Sequence, residues 1–217
     1  MPIFSRLFGG RPVSPEVQEI IDKARANTEN ELKPLRDLTL ALICASVNCR
    51  DGIKHLIKAP TEKERQLAEI YAFDEFIYFF MHHAMRVASG VMSEREVKHL
   101  QEHLGPLIAS TAIDSYWQHW PDEIKSGLIV EFYKNLNAAE VQYATCSQFN
   151  SPAPPEGRSL QILEALFASL GERVASAVGQ GGNRELSLLV SSLARREFSP
   201  TSLLSPIAAF KRDSVGL

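Results

Sequence analysis

The chain has 217 residues, of which 45% are hydrophobic, and its formal net charge at pH 7 is -3. This composition excludes an intrinsically disordered chain, because it supplies enough apolar residues for a sizeable core. Lys and Arg never run beyond adjacent pairs, so the sequence offers no basic track for phosphates and predicts no nucleic-acid partner.

Residues 1–13 are expected to form a flexible N-terminal segment. Its apolar residues recur at helical spacing: Ile3, Phe4, Leu7 and Phe8. Arg6 and Arg11 lie beside them, a pattern that also fits a short helix on a membrane surface. A helix of fewer than about twelve residues is marginal alone. We therefore favour a terminus that docks on the body or stays loose, with peripheral membrane attachment as an alternative hypothesis.

Residues 14–149 predict a bundle of about five helices, because helix-start signals are dense and strand signals are nearly absent. Ser14 is a favourable N-cap followed by proline, and it begins a helix that runs to about Asn27. Pro34 begins the second helix, which the Asp51-Gly52 turn signal ends.

Capping boxes mark the next helices of the bundle. A Thr-x-x-Glu box at Thr61 begins the third helix, and a Ser-x-x-Glu box at Ser93 begins the fourth. We expect a break or kink in the fourth helix at Pro106. Pro121 and the two acidic residues after it begin the fifth helix.

The third helix contains the most apolar run of the chain, residues 73–87. Asp74 and Glu75 argue against a membrane span, since an acidic residue near the bilayer centre costs about 2.5 to 3.5 kcal/mol. A polar stripe follows one side of this helix: Tyr71, Glu75, Tyr78, His82 and Arg86. One interpretation is a core helix whose polar groups reach solvent or satisfy one another. The other is an internal small-molecule site lined by the first four of these residues.

The fourth helix supplies candidate metal ligands, namely Glu96, His99 and His103. Glu96-x-x-His99 has the spacing of half a carboxylate-bridged di-iron site, but the sequence contains this half only once. A solvated helix face is therefore the favoured interpretation. Phosphate loops, nucleophile elbows and HExxH motifs are also absent from the sequence. We accordingly predict no cofactor and favour a non-enzymatic protein.

The composition changes at residues 150–159, a Pro-rich stretch that predicts a linker. Residues 160–198 then predict a helical hairpin, either docked on the bundle or loosely tethered. A single domain remains compatible with this pattern, because a Pro-rich loop need not mark a boundary. Residues 199–217 are expected to form a partly disordered tail. Its apolar residues could dock into a partner's groove: Leu203, Leu204, Ile207 and Phe210.

The three cysteines, Cys44, Cys49 and Cys146, are too few and too irregularly spaced for a disulfide framework or a zinc site. We interpret them as buried thiols, which predicts a cytoplasmic protein.

The sequence therefore predicts an all-α protein in which a bundle of about five helices precedes a C-terminal helical hairpin. It favours action through protein–protein interaction, as a regulator, adaptor or assembly factor, and it leaves homo-oligomers open. An internal ligand or metal site and peripheral membrane association are the alternatives.

Overall fold

A computed structural model describes residues 14–117, 119–146, 155–197 and 200–214. These residues form eight α-helices and one short 3-10 turn, with no strand among them, which confirms the all-α class. The helices are α1 (Pro15–Asn27), α2 (Lys33–Ile53), α3 (Glu62–Ser89), α4 (Glu94–Trp117), α5 (Asp122–Cys146), α6 (Pro155–Ala177), α7 (Arg184–Glu197) and α8 (Pro200–Ser214). Across these ranges, no helix combines the length and the apolar character that crossing a bilayer requires.

The predicted caps begin α1, α3 and α4. The Ser14 hydroxyl accepts a hydrogen bond from the backbone three residues later, at 3.3 Å. At the start of α3, the backbone N–H of Glu64 donates to Thr61 Oγ1 at 3.2 Å. Before α4, the backbone N–H of Ser93 donates to the Glu96 carboxylate at 2.6 Å. Each cap satisfies helix-terminal groups that would otherwise lack a partner, and is worth about 1 kcal/mol.

Helices α2 and α3 form the centre of the fold. α2 packs against α1, α3, α4, α7 and α8, whereas α3 packs against α2, α4, α5, α6 and α8. α3 contributes four fully buried phenylalanines to this core: Phe73, Phe76, Phe79 and Phe80. Burying one such side chain contributes about 1.5 to 3 kcal/mol. The core therefore forms around this pair of helices, and the other helices cover it.

α4 continues through Pro106, so the expected break is wrong. Pro106 is exposed, while Leu104 and Ile108 on either side of it are fully buried. Packing therefore holds both halves of the helix in place although proline removes one backbone hydrogen bond.

The hairpin of α6 and α7 docks on the bundle, which resolves an alternative that the sequence left open. α6 packs against α3 and α5, and α7 packs against α2. α6 begins at Pro155, inside the stretch predicted to be a linker, while residues 147–154 lie outside the described residues. The turn between the two helices contains Gly179 and Gly182, whose φ angles of 71° and 80° favour glycine.

α6 and α7 approach each other closely at Gly171. A Cβ atom at this position would lie 2.5 Å from the backbone oxygen of Ser187. The Ser187 hydroxyl donates a hydrogen bond to the Gly171 carbonyl at 3.2 Å. Glycine is therefore required here for space rather than for backbone conformation.

The tail, which the sequence predicts to be partly disordered, is helical over residues 200–214, which form α8. α8 packs against α2, α3 and α4. Leu203, Ile207 and Phe210 are buried, and Leu204 is half-buried. The spacing of the three buried residues places them on one helical face, and their burial outweighs the hydrogen bond lost at Pro206. The side chains predicted to dock on a partner are therefore used in this protein's own core.

Candidate functional site

The polar stripe of α3 lies mainly in the interface between α3, α5 and α6. Tyr78 and His82 are buried there, and Glu75 is nearly so. Tyr71 differs, because it is 52% exposed. The structure thus brings together three of the four predicted ligand residues, and partners from α5 and α6 surround them.

Glu75 forms a two-pronged ion pair with Arg173 of α6. Arg173 Nε donates to one carboxylate oxygen at 2.6 Å, and Nη2 donates to the other at 2.8 Å. Arg173 Nη1 donates to Oε1 of Gln142 on α5 at 3.0 Å. Only 14% of the Arg173 side chain and 12% of the Glu75 side chain are exposed. Burial raises the pKa of Glu75 although Arg173 opposes the rise, so the pair ties three helices together at an electrostatic cost.

His82 forms the second polar contact of this interface. Its Nδ1 lies 2.6 Å from a carboxylate oxygen of Glu140 on α5. Because a carboxylate only accepts, Nδ1 carries the shared proton. His82 Nε2 is buried and has no hydrogen-bond partner among the described residues. Such an atom costs about 1 to 3 kcal/mol, so the hydrogen bonding of this cluster is incomplete.

An open cleft of about 450 Å³ lies over the ion pair. The residues that line it are Glu75, Gln142, Glu172, Arg173, Ser176 and Ala177. Small-molecule sites are usually lined by apolar and aromatic side chains that bury most of the ligand. This cleft has a polar lining, and its arginine is already paired with Glu75 and Gln142. The geometry therefore fits a structural ion pair better than a preformed ligand site.

A second polar cluster surrounds Arg50, a residue that the sequence did not single out. The Arg50 side chain is fully buried, and its Nη1 donates to Glu16 at 2.8 Å and to the Tyr116 hydroxyl at 2.6 Å. Its Nη2 donates to Asp51 at 2.5 Å. Lys54 extends the cluster by bridging Glu16, at 3.0 Å, and Glu69, at 3.2 Å.

A cleft of about 400 Å³ opens beside the Arg50 cluster, with Tyr116, Trp117 and Ile70 among its walls. Most of its charged residues already form ion pairs with one another, as Arg65 does with Glu62 at 2.6 Å. We therefore interpret this cluster as the joint between α1, α2, α3 and α4.

Asp74 has an unusual protonation state for a carboxyl group. Burial, with a smaller contribution from the charge of Glu75, raises the pKa of Asp74 to about 8. Asp74 is therefore mostly neutral at pH 7. Asp74 was not predicted as a site residue, because no local sequence pattern signals a raised pKa.

The predicted metal ligands do not assemble. The rings of His99 and His103 lie 4.4 Å apart, and His103 Nδ1 lies 2.9 Å from the His99 carbonyl oxygen. The Glu96 carboxylate is used in the cap of α4, where it accepts from Ser93. Within the part of the chain that the structure describes, no group of three or more His, Cys, Asp or Glu residues could hold a metal ion.

Helix α5 carries apolar residues on two opposite sides. Its inner side is buried through Phe132, Leu136, Ala139, Tyr143 and Cys146. At 100° per residue, the opposite side consists of exposed residues that we name the α5 outer face: Glu123, Gly127, Val130, Lys134, Asn137, Ala138, Val141 and Thr145. Val130 is 69% exposed and Val141 is 70% exposed.

Such a surface is unusual for a helix at the edge of a bundle, because the solvent side ordinarily carries charged and polar residues. The apolar character continues at the N-terminal end, where Trp120 and Ile124 are each 44% exposed. This face was not predicted, because the apolar residues of the inner side of α5 and of the tail form more evident patterns in the sequence. Val130 and Val141 lie eleven residues, or about three helical turns, apart, and this spacing could have signalled the face.

Comparison of the chain with protein-family models, with curated proteins and with solved structures finds no match.

Proposed function

We propose that this protein acts by binding another polypeptide chain through the α5 outer face, as a regulator, adaptor or assembly factor. The observation that carries the proposal is the exposure of Val130 and Val141, at 69% and 70%, on a helix whose opposite side is already buried. A helix with apolar residues on both sides is most stable when both sides are covered. A partner would supply the missing cover.

The composition of the α5 outer face also suits a protein partner. Gly127 and Ala138 are small, so the backbone of another helix can approach closely. Trp120, at one end of the same helix, is 44% exposed and belongs to the residue type most enriched among energetically dominant interface positions. Lys134, the cation of this face, forms an ion pair with Glu131 at 3.1 Å.

This proposal keeps the predicted class of function but moves the contact from the tail to α5. The tail residues are less suitable, because Leu203, Ile207 and Phe210 would have to leave the core before they could bind. We also propose a cytoplasmic location. The three cysteines support it, since all are free and buried, and burial raises the pKa of Cys44 to about 12.

A ligand bound among the buried polar side chains between α3, α5 and α6 is the second candidate function. It is favoured by His82 Nε2, which is buried and lacks a hydrogen-bond partner among the described residues. Native mass spectrometry of the protein purified from its host would test it, since a bound ligand adds mass. Peripheral membrane association stays a prediction, because residues 1–13 lie outside the described residues.

Photo-crosslinking in the host tests the main proposal. A benzophenone amino acid replaces Val141 in one variant, and in a matched control it replaces Leu188, which is 61% exposed on α7. We expect a discrete covalent adduct from position 141 and none from position 188. No adduct from position 141, or the same adducts from both positions, would contradict the proposal.

A further inference from the structure

We propose that His99 and His103 form a binding site for a divalent transition-metal ion of the Zn²⁺, Ni²⁺ and Cu²⁺ class. Glu96, the third predicted ligand, does not join them, because its carboxylate accepts hydrogen bonds from Ser93 at the start of α4. The site therefore has two protein ligands, and water would complete the coordination of the ion. The proposal is independent of the proposed function, since it involves α4 and α8 rather than α5.

The two histidines lie one helical turn apart on the same side of α4. Residues four apart in a helix are neighbours, and the two ring centroids are 4.4 Å apart. A metal ion bound at about 2.1 Å to one nitrogen of each ring would hold the ring centres roughly 5 Å apart. The observed separation is close to this value, so a small rotation of the side chains brings both rings onto one ion.

A hydrogen bond orients the His103 ring and leaves it a lone pair for a metal ion. Its Nδ1 lies 2.9 Å from the backbone carbonyl oxygen of His99. Because a carbonyl oxygen only accepts, Nδ1 carries the proton, and Nε2 of the neutral ring is then the nitrogen that can bind a metal. Histidines that bind metals usually donate their other ring N–H in this way. His103 is exposed, so an ion can reach it from solvent.

Phe210 of α8 packs against both histidine rings. The centroid of its ring lies 5.7 Å from that of His99 and 6.4 Å from that of His103. Phe210 itself is only 2% exposed, so it forms a fixed wall that limits the motion of the two imidazoles. Restricting that motion before binding reduces the entropy that is lost when the ion binds.

The charges near the two rings do not prevent cation binding. The lysines that adjoin His99 and Phe210 in sequence are each close to a carboxylate. Lys98 Nζ lies 3.9 Å from Glu102, and Lys211 Nζ lies 3.8 Å from Glu96. Imidazole nitrogens favour transition metals, whereas Mg²⁺ prefers oxygen ligands. We therefore expect Cu²⁺ to bind more tightly than Ni²⁺ or Zn²⁺, and Mg²⁺ not to bind.

Isothermal titration calorimetry of the untagged full chain with ZnCl₂, CuCl₂ and MgCl₂ tests the proposal. We expect the chain to bind one Zn²⁺ or one Cu²⁺ ion at this site. Loss of a group that merely orients a metal ligand already weakens binding about 10- to 100-fold, so His103→Gln should weaken Zn²⁺ binding at least about tenfold. His55→Gln is the matched control, because His55 is an exposed histidine outside the site, and it should bind like the original chain.

A relocated histidine separates chelation from binding by any two histidines. A variant that combines His103→Gln with Gln101→His keeps the number of histidines, and Gln101 is exposed on the same helix. Positions 99 and 101 point about 200° apart, so their rings cannot share an ion. This variant should bind Zn²⁺ as weakly as His103→Gln, and circular dichroism would verify that both variants fold.

Three results would overturn the proposal. The first is an original chain that binds neither Zn²⁺ nor Cu²⁺. The second is a relocated variant that binds Zn²⁺ as tightly as the original chain, and the third is Mg²⁺ binding as tight as Zn²⁺ binding. Binding of Zn²⁺ that His103→Gln and the relocated variant both lose, and that His55→Gln keeps, assigns the site to the His99 and His103 pair.

Discussion

Replacing Gly171 with alanine is expected to destabilise the protein by forcing α6 and α7 apart. The added Cβ would lie 2.5 Å from the backbone oxygen of Ser187 and 3.1 Å from its carbonyl carbon. Both obstacles are backbone atoms, so no side-chain rotation relieves the overlap. Separation of the helices would also break the hydrogen bond from the Ser187 hydroxyl to the Gly171 carbonyl, which is 3.2 Å long.

The magnitude follows from three contributions. Overpacking of this kind costs about 1 to 3 kcal/mol, and the lost hydrogen bond costs about 1 kcal/mol. Alanine in place of glycine within a helix returns about 1 kcal/mol. The net expectation is a loss of about 1 to 3 kcal/mol in the free energy of unfolding, which lowers the melting temperature by roughly 2 to 4 °C per kcal/mol in a chain of this size.

Urea denaturation followed by circular dichroism measures this change, with Gly127→Ala as the matched control. Gly127 also lies inside a helix, but a Cβ there would meet nothing within 4 Å. The control should therefore gain about 0.5 to 1 kcal/mol. If Gly171→Ala is as stable as Gly127→Ala, the close approach of α6 and α7 is wrong.

Three further predictions concern the core and its buried charges. Burial raises the pKa of Asp74 to about 8 in the folded chain, whereas its value in the unfolded chain is near 3.8. Because the unfolded chain ionises more readily, the free energy of unfolding should fall as the pH rises from about 3.8 to about 8. Asp74→Asn should remove this contribution, so at pH 8 the variant should be more stable than the original chain by about 2 kcal/mol or more. Urea titrations of both chains at pH 5 and pH 8 measure this difference. The prediction is contradicted if the stability of the variant depends on pH as strongly as that of the original chain. Arg173→Met should cost about 3 to 5 kcal/mol because it leaves the Glu75 carboxylate buried without its cation. Adding Glu75→Leu should restore most of the loss in a double-mutant cycle, and a strictly additive cycle would count against the ion pair. Ile207→Ala should cost about 2 to 5 kcal/mol because Ile207 is fully buried; a drop in melting temperature below about 1 °C would be evidence for a loosely held α8.

Local sequence signals predicted the helix starts well because the interactions behind them are local. Ser14, Thr61 and Ser93 each bond to a residue three positions away. Each of these contacts depends only on a cap residue and a residue three positions later, so the local sequence is sufficient to predict it. Periodic apolar residues likewise predicted helices throughout the bundle and in the hairpin, and the all-α class followed from them.

The candidate sites could not be predicted in the same way, because their contacts join residues that are far apart in sequence. Arg173 lies 98 residues from Glu75, and Glu140 lies 58 residues from His82. The polar stripe of α3 was visible in the sequence, but the partners that satisfy it were not. Buried Arg50 is a similar case, since its contact with Tyr116 spans 66 residues.

The tail illustrates how local composition can mislead. Proline and serine around Leu203 suggested disorder, while the spacing of the apolar residues already matched one side of a helix. Tertiary packing decided between these signals, because α2, α3 and α4 provide an apolar surface for α8.

The position of α8 also has a consequence for biosynthesis. α2 ends at Ile53, and α8, which covers part of it, begins at Pro200. At about 5 to 20 residues per second, a ribosome needs roughly 7 to 30 s to make the 147 residues that separate these positions. During that interval the nascent chain exposes apolar surface on α2, which is the type of surface that molecular chaperones recognise. Slow translation of the second half of the message should therefore increase the demand for chaperones and the share of chains that aggregate.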